Sequence, residues 1–391
     1  MAQNDYSAES ENFVIPSNAC LIGRVFVPNV GPCVARVDGE RLIDVTTAFS
    51  TMRDLCEHMN PSIAVRAAKG NDLGAVAEML ANTTLDTRNK SKPWLLAPVD
   101  LQAIKAAGVT FVVSMLERVI EEKARGDANA AITIRSHIRD LVGDDLRRLK
   151  PGSTEAAALK ETLIKAGAWS QYLEVGIGPD AEIFTKGQPM SAVGTMMDVG
   201  VHPKSTWNNP EPEVVLVVSS KGKIVGAALG NDVNLRDVEG RSALLLGKAK
   251  DNNAATAIGP FVRLFDDSFT LDTVRKMDLS LTVEGTDGFK MTGRSSIAEI
   301  SRDPADLVAQ TINAHHHYPD GFVLFLGTMF APSDDRDVPG RGFTHKTGDI
   351  VTISTPELGA LVNRVVATDK AEAWTFGAAD LMRNLAKRGS L

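Results

Sequence analysis

Two glutamates two residues apart, Glu211 and Glu213, and an aspartate 19 residues further on, Asp232, have the side chains and spacing to hold a hard cation. They lie in NNPEPEVVLVVSSKGKIVGAALGNDVNLRD, residues 208–237. Val214 to Val218 and Ile224 to Leu229 are β-branched-rich runs joined by SSKGK, the pattern of an antiparallel hairpin. If the first strand begins at or just before the glutamates, both point to one face, because side chains alternate along a strand. Centring the turn on Lys221 pairs residues whose numbers sum to 442, so Glu213 faces Leu229, Glu211 faces Asn231 and Asp232 faces Pro210. Antiparallel neighbours sit ~5 Å apart at Cβ, so the three carboxylates can converge at the open end of the hairpin. In this register a slip or a bulge spoils the alignment. Convergent carboxylates repel, and burial without compensation forces protonation. A hard cation such as Mg²⁺, Mn²⁺ or Ca²⁺ removes the conflict and keeps positions open for water or substrate. Spacing alone fits a solvated acidic hairpin end as well.

The surrounding elements belong to an α+β chain with a β-rich second half. LIGRVFVP, GPCVARVDG and RLIDVT, between residues 20 and 46, are short strands bounded by turn residues. Residues 72–91 are expected to be helical. The two prolines of KSKPWLLAPVDLQ mark a boundary, giving an N-terminal α+β domain over 1–97 and a catalytic domain over 98–391. From about 114 to 167 a helical lid is expected: Ile134, Ile138, Leu141, Val142 and Leu149 form a 3.6-residue stripe, and a second helix follows Pro151-Gly152. Beyond residue 170 the strands EVVLVV, KIVGAAL, LSLTVEG, GFVLFLGT and DIVTIST are interrupted by one helix around Pro304 to His315.

The net charge is −7 and the pI about 5.6, with no compensating basic stretch, which argues against a nucleic-acid partner. Cys20, Cys33 and Cys56, an odd number without close spacing, read as reduced thiols. The polar start of the chain and the absence of an apolar run of ~20 residues predict a cytoplasmic protein with no membrane partner. Consecutive histidines on a helix point in different directions, so His315, His316 and His317 read as helix-end surface rather than ligands.

PEPEVVLV, GNDVNLRDVEG and GKAKDNNAATAIGP, followed by VLFLGTMFAP, HKTGDIVTIS and LGALVNRV, together resemble the fumarylacetoacetate hydrolase superfamily over roughly residues 105–370. The resemblance implies a β-roll of mixed sheets, a homodimer or homotetramer, and a divalent metal, Mg²⁺ foremost, held by Glu211, Glu213 and Asp232. It also implies that Lys250, nine residues before Gly259-Pro260, contacts a small 2-oxo acid substrate. Thr328 matches the threonine that holds a substrate carboxylate, and Arg236 the arginine four residues after the metal-binding aspartate, a position that equally fits a structural partner of Asp232 or Asp237; Ser191, in MSAVG, is a candidate for substrate binding but reads more readily as a small turn residue. Glu182, in AEIFTKGQ, matches an acidic residue near the metal in the sugar-acid dehydratases of the superfamily.

Many family hydrolases and decarboxylases carry a His-x-x-Glu dyad that activates water. In TFVVSMLERVIEEK, Ser114 stands in place of that histidine and Glu117 retains the acid. Serine offers no basic nitrogen, so water activation of that kind is in doubt. The Ser-x-x-Glu pattern and the long N-terminal domain resemble the 2-keto-3-deoxy-pentonate dehydratases, which need a base aimed at C3 rather than at water. Glu182 or Glu117 would be that base, and the product would be 2-oxoglutarate semialdehyde. The alternatives are a C–C hydrolase or decarboxylase acting on an acylpyruvate or oxaloacetate-like acid, and a catalytically idle binding protein on the same roll.

Overall fold

The computed structural model describes residues 14–111, 115, 118–120, 122–123, 149–165, 167, 169–328, 334–337 and 342–391. Its strands are β1 (Leu21–Val27), β2 (Gly31–Asp38), β3 (Arg41–Asp44), β4 (Asn71–Ala75), β5 (Trp94–Leu96), β6 (Ala103–Gly108), β7 (Glu182–Gly187) and β8 (Asp198–Val201). They continue as β9 (Pro212–Val218), β10 (Ile224–Asp232), β11 (Thr256–Leu264), β12 (Asp278–Glu284), β13 (Lys290–Ser296), β14 (Phe322–Phe325), β15 (Ile350–Thr355) and β16 (Gly359–Ala367). One sheet of 11 strands runs β4-β3-β2-β1-β11-β10-β9-β14-β6-β7, with β5 added on β1. A five-stranded sheet runs β13-β12-β15-β16-β8. β14–β6 and β16–β8 are parallel pairs in otherwise antiparallel sheets, the mixed α+β architecture expected.

The central strand β9 explains why the large sheet is secure. Every residue of PEVVLVV is buried. Val214, Leu216 and Val218 enter the core shared with the five-stranded sheet, alongside Leu281, Ile353 and Leu361. Val215 and Val217 enter a second core on the opposite face, with Met52, Leu55, Val65 and Phe325. A strand buried on both faces has its register fixed by packing from both sides.

β1, β2 and β3 stand where the sequence puts them, and β1 pairs with β11, so strands from the first 97 residues join this same sheet. The expected helix over 72–91 is mostly something else. Residues Asn71–Ala75 form β4 against β3, the helix is confined to Val76–Ala81, and a short 3₁₀ turn covers Leu85–Thr87. The helix stops because Asn82 and Thr83 spend their side chains on backbone groups: Asn82 Nδ2 donates to the carbonyls of Asn89, Lys92 and Pro93, and Thr83 Oγ1 donates to that of Met79. The helix after Pro151-Gly152 is present as Thr154–Lys165, and the late helix is Pro304–Thr311. His315 to His317 lie beyond its end and are exposed. The stripe from Ile134 to Val142 and most of the expected lid lie outside the described residues.

The hairpin differs from its expected register by one residue. Ile224 pairs with Val218, but Gly226 pairs with Val217 and Gly230 with Glu213, so Val225 is bulged out of the ladder. The difference matters for the site. In the unbulged register Asp232 would share a face with Pro210, away from Glu211. With the bulge Asp232 lies across from Glu211, and its N–H donates to the Glu211 carbonyl at 3.0 Å. The bulge therefore creates the convergence that the simple register could not. Gly230, opposite Glu213, allows close packing there: a Cβ at this position would sit 2.3 Å from Phe325 Cε1 and 2.5 Å from Val215 Cγ2. Gly230→Ala is expected to lower stability by ~1–3 kcal/mol through overpacking. Gly247→Ala, with open space around the added methyl group, should not. Urea unfolding of the two variants against the parent checks this, and equal midpoints would refute it.

Candidate metal centre and active site

Glu211, just before β9, Glu213 within it and Asp232 at the end of β10 are 3%, 2% and 1% exposed. One oxygen from each lies within 4.8 Å of the others. The Glu211 carboxylate accepts from Lys250 Nζ at 2.6 Å, Arg118 Nη2 at 2.5 Å and Asn234 Nδ2 at 3.1 Å. Asn231 Oδ1 accepts the Glu211 N–H, fixing the backbone beside it. Glu213 accepts the backbone N–H of Gly327 at 2.6 Å. Asp232 lies 3.0 Å from Lys250 Nζ through one oxygen and 3.0 Å from Lys186 Nζ through the other.

Lys250 closes a short helix, Leu246–Lys250, and its ammonium is 5.7 Å from the centre of the Phe184 ring. Glu182, Phe184 and Lys186 alternate along β7, which places Glu182 and Lys186 on the same face. A side chain at Gly108, the β6 partner of Glu182, would overlap the Glu182 carboxylate, since its Cβ would fall 1.9 Å from Oε2. Glu182, Glu211, Glu213, Asp232, Glu239, Lys250, Arg118 and Thr328 line one narrow cavity of about 20 Å³.

The charges do not balance. Among the described residues five carboxyl groups (Glu182, Glu211, Glu213, Asp232, Glu239) meet three cations (Arg118, Lys186, Lys250), so full ionisation would leave an excess of two negative charges. Burial, with Asp232 and Glu211 alongside, raises the Glu213 carboxyl well above its usual range. Burial also raises Glu211, despite Lys250 and Arg118. Asp232 is pushed up by burial, but Lys186 and Lys250 outweigh this and hold it low. Burial and the charge of Glu239 push Glu182 up to about 7. A divalent cation bound by Glu211, Glu213 and Asp232 would match the excess charge, and all-oxygen ligation suits Mg²⁺, Mn²⁺ or Ca²⁺.

The structure thus gathers Glu182, Lys250, Thr328 and the three carboxylates in one place. Arg236 does not line the cavity; it is buried with its guanidinium 4.4 Å from the centre of the Trp207 ring. Ser191 sits in a turn with its hydroxyl donating to the Gln188 carbonyl, and lines a separate cavity. Ser114 and Glu117 lie outside the described residues. Three members were not anticipated. Arg118 bridges Glu211 and Glu239, 2.8 Å from the latter. Lys186 is fully buried and also donates to the Lys250 carbonyl at 2.7 Å. Of these, Lys186 was findable, because a strand through AEIFTKGQ puts it on the face of Glu182. Arg118 and Glu239 needed the three-dimensional arrangement.

Residues 157–366 match the family described as fumarylacetoacetate (FAA) hydrolase C-terminal. A probable 2-keto-3-deoxyxylonate dehydratase of Haloferax volcanii is 30% identical over 194 residues, covering 50% of this chain and 63% of that protein, just under two thirds of its length. A 2-dehydro-3-deoxy-D-arabinonate dehydratase of Saccharolobus solfataricus is 27% identical over 267 residues, covering 65% of this chain and 86% of that protein. In the apo form, 2-keto-3-deoxy-D-arabinonate dehydratase superposes with a TM-score of 0.62 at 20% identity, covering 89% of this chain and 98% of that one. A structure of that enzyme complexed with magnesium and 2,5-dioxopentanoate superposes at 0.61, with 20% identity and coverage of 89% and 98%. At this identity the two structures share the fold.

Two outcomes follow for the metal-free protein. Carboxyls raised on folding bind protons more tightly in the native state, so stability is fully present below the usual carboxylate range and falls as pH rises through the raised values. Thermal scans from pH 5 to 8 should show that decline without metal, and saturating Mg²⁺ should flatten it. A flat metal-free profile would count against the charge excess. Glu213→Gln should weaken Mg²⁺ binding, measured by calorimetry, more than the ~10–100-fold typical of residues that only support ligands. It should leave the metal-free protein no less stable, since the amide needs no proton where burial and the neighbouring carboxylates force one onto the Glu213 carboxyl.

Proposed function

The chain belongs to the fumarylacetoacetate hydrolase family, and we propose that it is a divalent-metal-dependent hydro-lyase. It would remove water from a 2-keto-3-deoxy sugar acid, a pentonate, to give 2-oxoglutarate semialdehyde. One observation carries the reading: a carboxyl with proton affinity raised to about 7, Glu182, shares a buried cavity with Lys250 and the three-carboxylate cluster. The dehydratase names of the curated relatives, and the magnesium in one structural relative, support it.

A cation held by Glu211, Glu213 and Asp232 would supply Lewis-acid polarisation of a 2-oxo acid, which acidifies the C3 protons. The protein's own residues would do the rest. Glu182 is poised near neutral pH to take a C3 proton, where a general base is most effective. The Lys250 ammonium, buried and held by Asp232 and Glu211, faces the negative charge that develops on the C2 oxygen. Thr328 would hold the substrate carboxylate at the cavity wall. As the C3–H bond breaks and the C3=C4 double bond forms, the C4–O bond breaks. The proton on Glu182 leaves with the hydroxyl as water. Two proton shifts, from C5 to C3 and from the C5 hydroxyl to C4, then convert the allylic alcohol into an aldehyde. No step needs an activated water, which agrees with Ser114 at the position of the hydrolase histidine.

Purified protein with Mg²⁺ and a panel of 2-keto-3-deoxy acids should yield, by mass spectrometry, a product lighter by one water. EDTA should abolish the turnover, and Mg²⁺ or Mn²⁺ should restore it. Cleavage into two fragments, or release of carbon dioxide, would instead establish a hydrolase or decarboxylase. Glu182→Gln should slow dehydration by about 10²–10⁴-fold and stop exchange of the C3 protons with deuterated solvent. Retained exchange would pass the base role to Glu117. Ser114→His should not raise dehydration; a gain in acylpyruvate cleavage would mark an impaired hydrolase.

A further inference from the structure

Arg118 meets the carboxylate cluster differently from the two lysines. Lys186 is fully buried, held by Asp232 and by the carbonyls of Lys250 and Val233. The Lys250 side chain is 2% exposed, and its one ammonium serves Glu211 and Asp232 together. Between them the lysines take both oxygens of Asp232. Arg118 comes from the segment after β6, its side chain is 11% exposed, and it lines the carboxylate cavity. Its fork spans two carboxylates: Nη2 lies 2.5 Å from Glu211 Oε1, and Nη1 lies 2.8 Å from Glu239 Oε2. Of the two, only Glu211 belongs to the three-carboxylate cluster. Asn234 Nδ2 donates to the same Glu211 oxygen at 3.1 Å, so both of its lone pairs are engaged, and Lys250 takes the other oxygen.

An ion drawn to Glu211, Glu213 and Asp232 therefore arrives where a guanidinium already serves Glu211. The cavity, of about 20 Å³, has room for about one water or small ion. Like charges a few ångströms apart in so buried a place repel strongly. Something must yield, and the contacts single out Arg118. Lys186 and Lys250 are sealed in, and both hold cluster carboxylates from within. Arg118 is the most exposed of the three, and it can release Glu211 to the ion while keeping Glu239. That exchange leaves no buried charge unpaired.

On the reading that Glu211, Glu213 and Asp232 hold a divalent cation, we propose that Arg118 is a built-in competitor for Glu211. It satisfies that carboxylate in the metal-free protein, yields it when the ion binds, and so sets how much free metal the site needs to fill. A residue that only oriented Glu211 would act in the opposite direction, its loss weakening the ion by ~10–100-fold. Calorimetric titration of Mg²⁺ into the metal-free full chain separates the two. Arg118→Gln should bind Mg²⁺ about tenfold or more tightly than the parent, because a repelling charge is gone. Arg118→Lys keeps the charge and should stay within about threefold of the parent. In thermal scans Arg118→Gln should melt below the parent in EDTA, since Glu211 and Glu239 lose a partner, and saturating Mg²⁺ should narrow the gap. Equal or weaker Mg²⁺ binding in Arg118→Gln overturns the proposal and leaves the metal centre standing. Should that variant not fold, Arg118→Lys decides: a weakening beyond about threefold marks the guanidinium fork as a support for Glu211 and overturns it too. If neither the parent nor the variants bind Mg²⁺, the metal centre itself is refuted, and the competition with it.

Discussion

Carboxylates that cannot reach water dominate this structure. Glu211, Glu213 and Asp232 are each almost fully buried, and charges in such a place persist only when paired or coordinated. Three separate segments bring cations to them: β7 supplies Lys186, the helix ahead of β11 supplies Lys250, and the segment after β6 supplies Arg118. These pairings tie Asp232 and Glu211 into a rigid frame. With Glu182 and Glu239, which line the same cavity, five carboxyl groups still outnumber these three cations by two among the described residues. That residue of charge is the reason to place a divalent cation here, since three cationic side chains already present have not exhausted it.

Holding such a cluster requires strands that do not yield to the repulsion. β9 meets the need by burying apolar side chains on both faces, so sliding or lifting it would disrupt two cores at once. The bulge at Val225 then sets which face Asp232 occupies. Because side-chain direction alternates, a single extra residue decides between a cluster of three and a pair with an isolated aspartate. Fold and chemistry meet at that residue, which itself carries no functional group.

Much of this was legible in the residues. β9 and β10 announce themselves as β-branched runs around a Gly-containing turn, and the E-x-E spacing puts two glutamates on one face. The register was not legible, since a bulge depends on how β10 packs between β9 and β11 rather than on a local signal at Val225. β11 escaped for a related reason. Gly259-Pro260 in its middle reads as a break, yet the strand continues because the β10 register shifts between Ala227 and Leu229, opposite that point. Within the 72–91 segment the apolar residues suggested a long helix, but Asn82 and Thr83 capture backbone groups and end it. Arg118 and Glu239 are ordinary charged residues in sequence, and only tertiary contact pairs them beside Glu211.

The acid excess also shapes the base. Glu182 has its proton affinity raised first by burial and next by Glu239, which Arg118 bridges to Glu211. The acid excess that suits the cluster to a cation therefore adds to burial, the larger cause, in bringing Glu182 near neutrality. A carboxylate in water would be too weak a base for a proton α to a ketone, whereas one raised to about 7 is matched to it. Lys250 completes the division of labour, because the same field holds its ammonium firmly protonated. Base and electrostatic partner are thus set apart by one charge distribution, with Glu182 drawn toward neutral pH and Lys250 driven away from it.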